Sequence, residues 1–241
     1  MRDSSAWGAG VGRRNRLEAP GEPVVIFDCN GVLVDSEPLA TAIVSQEFLR
    51  AGFPLTPDIV ARFFAGRRQT DMFAEVESAA GRKLPADFAA TVAREILRRF
   101  RAELRPTAHA GHALSWLRGP KCIASSSSLD RVRVSLESTD LLRFFDPYLF
   151  SGTDVTKGKP APDIFLHAAR VMGVDPRHCL VVEDSLVGVT AGVAAGMTVI
   201  GFVGGSHARS PLEQQLRAAG ARTVIADLRA LKSTVIDLRG W

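Results

Sequence analysis

The stretch VVIFDCNGVLVDSE, residues 24–37, changes character halfway along. Its first half is a run of β-branched and aromatic residues without alternation, the signature of a strand buried on both faces. At Asp28 the run gives way to a polar loop in which Gly31 follows Asn30. Further runs of the same kind are CIASS (122–126), CLVVED (179–184), MTVIGF (197–202) and TVIA (223–226), with a shorter one at YLF (148–150). Between them lie amphipathic stretches. PDIFLHAARVMG (162–173) has helical spacing and a glycine stop, and SLVGVTAGVAAG (185–196) opens on a serine cap. Strands alternating with helices predict a doubly wound, Rossmann-like parallel α/β core.

One segment breaks this alternation. Residues 38–107 read as helix throughout, in PLATAIVSQEFLRAG (38–52), PDIVARFFAG (57–66), QTDMFAEVESAAG (69–81) and PADFAATVAREILRRFRAEL (85–104), separated by Gly and Pro. The expected organisation is an α/β core of residues 23–37 and 108–241, with an all-helical cap of residues 38–107 inserted after the first strand. Such a cap would sit over the carboxyl ends of the strands, where sheets of this kind bind ligands. Residues 1–22, rich in Gly, Arg and Pro, read as a loosely attached extension without the apolar stretch of a secretory signal.

The bulk numbers narrow the class. A chain of 241 residues that is 46% hydrophobic builds a substantial core, yet no apolar run reaches the ~20 residues a membrane span needs. The net charge of +4 is spread over scattered arginines, which argues against nucleic acid as a partner. Cys29, Cys122 and Cys179 lie far apart in or beside strand-like runs and read as reduced, buried thiols, consistent with a cytoplasmic protein. The sequence leaves the oligomeric state open, with a monomer favoured. His109 and His112, three residues apart, read as helix-start residues rather than metal ligands.

Chemistry gathers at the strand ends. Asp28 closes the first strand, Ser125 another, and Glu183 with Asp184 a third, while Lys159 stands in KGKPAPD ahead of a helix. In a parallel sheet these ends share one edge. Hard carboxylate oxygens there suit Mg²⁺, which takes few carboxylates together with water and substrate phosphate. A lysine adds positive charge, Ser125 and adjacent N–H groups hold phosphoryl oxygens, and Asp28 is available as a nucleophile.

The ordered set D-x-x-G-V-L-V-D-S, strand-Ser, G-K-P-A-P-D-I-F and V-V-E-D-S resembles the haloacid dehalogenase superfamily of hydrolases. Within it the likeness is to the small-helical-cap branch that holds β-phosphoglucomutase and sugar-phosphate phosphatases. The resemblance covers about residues 22–230. It implies a Mg²⁺-dependent phosphatase of a small phosphorylated metabolite, with Asp28 as nucleophile and metal ligand. Ser125 and Ser126 then bind phosphate, Lys159 balances the nucleophile, Asp184 ligates the metal, and Glu183 supports it through water. The residue two past the nucleophile lends the metal its backbone carbonyl and acts as general acid/base.

Here that residue is Asn30. Its carbonyl serves the metal unchanged, but its amide does not titrate, and losing general acid/base help costs ~10²–10⁴ in rate. Four accounts are open: an engineered trap, a natural enzyme whose leaving group needs no proton, a phosphometabolite-binding protein that has lost catalysis, or a deamidation-prone Asn-Gly pair that regains Asp. Glu183-Asp184 implies a metal and so argues against a dehalogenase. Mutase activity is disfavoured, because Ala40 stands where that branch carries a cap histidine, and Ser128 and Leu129 where it carries Lys and Asn. The loop AGRRQTD (65–71), with Gly66, Arg67 and Arg68, falls where related enzymes place a specificity loop, its arginines suited to an anionic substrate end.

Overall fold

The computed structural model describes residues 23–239; the expected N-terminal extension, residues 1–22, lies outside them. In chain order the main elements are β1 (Val24–Phe27), α1 (Glu37–Arg50), α2 (Pro57–Phe64), α3 (Gln69–Ala80), α4 (Phe88–Glu103), α5 (Ala110–Trp116), β2 (Lys121–Ser125), α6 (Leu129–Ser138), β3 (Leu149–Ser151), α7 (Asp163–Met172), β4 (Cys179–Glu183), α8 (Leu186–Ala194), β5 (Thr198–Phe202), α9 (Leu212–Ala218), β6 (Thr223–Ile225) and α10 (Leu231–Arg239). All strand pairs are parallel, in the order β3-β2-β1-β4-β5-β6. The chain winds outward from β1 through β2 to β3, then crosses back to β4 on the other side. This creates a topological switch between β1 and β4, where a crevice opens at the carboxyl edge.

The unbroken apolar runs are explained by burial on both faces. Val25 and Phe27 point into one core layer, and Val24 and Ile26 into the other. The same split divides Ile123 from Cys122 and Ala124, and Leu180 and Val182 from Cys179 and Val181. The three cysteines are free and buried. The first strand stops at Phe27, short of the apolar run's end at Cys29, because the chain turns through Gly31 at φ +80 and closes with the Gly31 amide donating to the Val34 carbonyl at 2.8 Å.

Helices α1–α4 form the cap between β1 and β2. Its centre is aromatic: the Phe48 ring lies 5.0 Å from Phe88 and 5.8 Å from Phe73, and Phe73 lies 5.1 Å from Phe88. Each such ring contributes roughly 1.5–3 kcal/mol by leaving water, enough for the insert to hold its own shape. Among the described residues no helix is long and apolar enough to cross a membrane.

Candidate active site

Pairing register sets the site. Phe27 lies level with Val182 of β4 and Ile123 of β2. Asp28 therefore emerges at the sheet edge between the two strands, its amide donating to the Val182 carbonyl at 3.0 Å. Glu183 and Asp184 emerge beside it from β4, and Ser125 from β2. Lys159 comes from the loop ahead of α7, and its ammonium joins the strands. It donates to Asp28 Oδ1 at 2.6 Å, to Glu183 Oε1 at 2.6 Å and to the Ala124 carbonyl at 3.0 Å. Its side chain is fully buried, with the ammonium 5.0 Å from the centre of the Phe165 ring.

Glu183 is engaged at both oxygens. Oε2 accepts from the Asp184 amide at 2.9 Å, the Ser185 amide at 3.0 Å and the Ser185 hydroxyl at 2.9 Å. Gly188 makes room for this carboxylate, since a Cβ there would stand 1.9 Å from Glu183 Cδ. Asp184 presses against Gly31, where a Cβ would meet its Oδ2 at 1.9 Å. Glycine at position 31 thus serves both the turn and the close approach of the Asp184 carboxylate. Asp28 Oδ2 accepts no hydrogen bond among the described residues, which leaves one oxygen of that carboxylate uncommitted.

Two buried carboxylates, Asp28 and Glu183, share the Lys159 ammonium, while the third, Asp184, pairs with His207. Burial raises Asp28 to about 8; Lys159 opposes this, while Glu183 and Asp184 add to it. Asp184 is raised to about 6, again chiefly by burial, with His207 pulling the other way. Burial works against the Lys159 proton, but the Asp28 and Glu183 charges more than offset it and hold the ammonium above its usual range. A pocket with surplus buried carboxylate charge suits a divalent cation. Asp28 and Asp184 are the side chains whose carboxylates could hold one. Among the described residues no cluster of three His, Cys, Asp or Glu side chains is spaced as a metal cage.

His207 went unnoticed in the sequence. Its Nε2 lies 2.9 Å from Asp184 Oδ2. Burial opposes its proton, but the bond to Asp184 raises its pKa above the ordinary histidine value. The available signal was its position: a histidine just past the end of β5, at the same sheet edge as the carboxylates. Asp35, the second aspartate of the first motif, secures that loop by accepting from the Ser206 amide at 3.1 Å and hydroxyl at 2.8 Å.

Asn30 is held between two serines. Its Nδ2 donates to Ser127 Oγ at 2.8 Å, and its Oδ1 accepts from Ser36 Oγ at 3.1 Å. Ser36 precedes α1 and makes no side-chain cap there; its hydroxyl serves the site instead. Ser125 is buried, and its Oγ accepts from the Ser127 amide at 3.3 Å.

The cap loop meets the core at this edge. Ser126 Oγ donates to the Gly66 carbonyl at 2.7 Å. Gly66, at φ +74, packs on Ser185, whose Oγ a Cβ would approach to 2.2 Å. Arg68 is paired with Asp71 at 2.9 Å and also reaches the core carbonyls of Gly152 at 3.4 Å and of Val155 and Thr156 at 3.3 Å. Arg67 is paired with Glu75 at 2.7 Å. Both guanidinium groups therefore have protein partners, and Arg68 acts as a clasp between cap and core. Arg68→Ala should lower kcat/KM about 10- to 100-fold, the worth of charge-assisted hydrogen bonds at ~1.5–3 kcal/mol. Steady-state kinetics checks it, and an unchanged kcat/KM would mean that closure does not depend on the clasp.

With this geometry in place, comparison with known proteins becomes decisive. The family profile described as haloacid dehalogenase-like hydrolase matches residues 23–196. The chain belongs to that family. Among curated relatives, the 6-phosphogluconate phosphatase of Escherichia coli (strain K12) is 34% identical over 194 residues, covering 80% of this chain and 86% of the relative. The phosphorylated carbohydrates phosphatase of Thermotoga maritima is 30% identical over 176 residues, 72% of this chain and 81% of that protein. Among solved structures, a haloacid dehalogenase-like protein of unknown function from Agrobacterium tumefaciens str. C58 superposes with a TM-score of 0.76 at 37% identity, covering 90% of this chain and 99% of the other. A family hydrolase from Deinococcus radiodurans R1, with bound phosphate and sodium, gives 0.70 at 27% identity, covering 92% of this chain and 98% of that one. The doubly wound parallel sheet with a helical cap is thus this hydrolase family's fold, as the motifs led one to expect.

Proposed function

We propose that this haloacid dehalogenase-like hydrolase is a Mg²⁺-dependent phosphatase of a small phosphorylated metabolite, a sugar or sugar-acid phosphate, with slow turnover. The observation that carries the reading is the Lys159 ammonium at 2.6 Å from both Asp28 and Glu183, which ties three separate motifs into one pocket. The phosphatase names of the relatives and the phosphate in the Deinococcus structure support the substrate class.

In this reading Asp28 Oδ2 attacks phosphorus while Lys159 fixes Oδ1. The P–O bond to the metabolite breaks, and Ser125 with the neighbouring amide of Ser126 steadies the phosphoryl oxygens. Water then attacks the aspartyl phosphate, releasing inorganic phosphate and restoring Asp28. Asp28, Asp184 and the Asn30 backbone carbonyl would hold Mg²⁺, with Glu183 supporting through water. The bound ion supplies positive charge that keeps Asp28 ionised and offsets the charge of the phosphoryl group. Asn30 orients between Ser36 and Ser127 but neither gives nor takes a proton, so solvent protonates the leaving oxygen. Asn30 also favours a second reading, a protein that binds the phosphorylated metabolite without turning it over.

Phosphate release from a panel of sugar and sugar-acid phosphates, with Mg²⁺ and with a chelator, tests the reading. Release that requires Mg²⁺ is the expected result, and no release from any member would favour the binding protein. A thermal measurement accompanies it. Without metal, the folded pKa of Asp28, about 8, exceeds the unfolded value, so between about pH 4 and 8 the folded state binds the extra proton and stability falls as pH rises. Mg²⁺ competes with that proton. The rise in Tm on adding Mg²⁺ should therefore be larger at pH 8 than at pH 5, and an equal rise at both would place the ion elsewhere.

A further inference from the structure

Arg131 stands apart from the other arginines at the seam between cap and core. It lies in the first turn of α6, directly after the serine loop of the site, and its amide donates to the capping Ser128 Oγ at 3.4 Å. Its guanidinium sits 5.1 Å from the centre of the Phe100 ring on α4, where α6 packs against the cap. Its Nε is buried and has no hydrogen-bond partner. Among the described residues none of its guanidinium nitrogens makes a hydrogen bond or an ion pair, whereas Arg67 and Arg68 are both engaged.

The charges felt by Arg131 identify what it faces. Burial lowers its pKa, and the carboxylates that oppose this are Glu37 at the head of α1 and Asp28. Asp28 is the nucleophile of the proposed site and Glu37 adjoins Ser36, which holds Asn30, yet neither carboxylate is within ion-pair distance of Arg131. A partly buried cation without a counter-ion is costly, and the Phe100 face recovers only part of that cost. The fork of donors on a guanidinium matches a carboxylate or a phosphate two-pronged. Glu37 nearby repels a dianion more than a monoanion, so the match is to a carboxylate.

We propose that Arg131 reads a carboxylate on the leaving-group portion of the substrate and so selects sugar-acid phosphates over neutral sugar phosphates. The assignment rests on the phosphatase reading for the position of the phosphoryl group, and equilibrium binding separates the two. In Asp28→Asn protein with Mg²⁺, binding of 6-phosphogluconate is compared with that of glucitol 6-phosphate, which carries CH₂OH in place of the carboxylate. The acid should bind about tenfold or more tightly. Arg131→Gln should bring that ratio close to one by weakening the acid alone, and Arg131→Lys should keep part of it. Arg131→Met removes an unpaired, partly buried charge and should melt no lower than the parent. An unchanged ratio in Arg131→Gln, equal weakening of both ligands, a lower Tm in Arg131→Met, or no binding of either ligand overturns the assignment. If the ratio behaves as expected but the unsubstituted chain releases no phosphate from either compound, the hydrolytic reading fails and the role of Arg131 stands.

Discussion

Asn30→Asp should raise kcat on sugar phosphates by about 10²–10⁴-fold, the usual contribution of a positioned general acid/base. The exchange is nearly isosteric, and both partners accommodate it. Ser36 Oγ already donates to Oδ1, and Ser127 Oγ, which now accepts from Nδ2, can rotate its hydroxyl to donate. The new carboxyl would stand two residues from Asp28, in a site where Lys159 binds only Asp28 and Glu183. Like charges raise its pKa toward neutrality, where a group best both gives and takes a proton. The gain should depend on the leaving group: large for alkyl phosphates, and much smaller for p-nitrophenyl phosphate, whose phenolate leaves without a proton. Parallel rates for both proteins on both substrates decide the matter. Equal rates on alkyl phosphates would remove Asn30 as the limiting residue.

The two serine bonds also bear on the fourth account of Asn30. Deamidation needs the Gly31 nitrogen to swing onto the Asn30 side-chain carbonyl. That nitrogen donates to the Val34 carbonyl at 2.8 Å, and the side chain is held at both ends. The folded loop therefore resists the geometry that an unrestrained Asn-Gly pair adopts readily.

Much of this protein can be read along the chain because its strands are buried on both faces. Val24 to Phe27 had to be apolar on both sides, so the point where apolar character stops marked Asp28 as an edge residue. Lys159 stood out because lysine is scarce and because it sits in a motif. What escaped depends on long-range packing. His207 lies in VGGSHARS, which reads as an ordinary polar loop, and its bond to Asp184 forms only once β4 and β5 lie side by side. Arg67 and Arg68 were legible as a basic pair at a loop, but their partners were not. The carbonyls of Gly152, Val155 and Thr156 come from a distant segment, and backbone acceptors leave no mark in side-chain pattern. Arg131 was unreadable for the complementary reason: what distinguishes it is the lack of a partner for its buried Nε.

Lys159→Met should remove both activity and much of the stability, and the pH dependence of the loss identifies its origin. Taking away one partner of a buried ion pair costs about 3–5 kcal/mol, because the other charge is left desolvated; here Asp28 and Glu183 are both left behind. Asp28 can escape the penalty only by taking up a proton. Asp28 already lies at about 8 with the lysine in place, and without the ammonium it rises further above its unfolded value. The folded variant then holds protons that the unfolded chain has released, so its stability falls as pH increases. Urea unfolding should accordingly show a deficit against the parent that is steady below about pH 8 and grows as pH rises past 8, where the parent's Asp28 has released its proton and the variant's has not. A deficit independent of pH would mean that the methionine merely packs badly against Phe165. In turnover, loss of the charge that steadies nucleophile and phosphoryl group should cost about 10²–10³-fold in kcat. A variant retaining a rate within tenfold of the parent would show that the ammonium between Asp28 and Glu183 serves the fold alone.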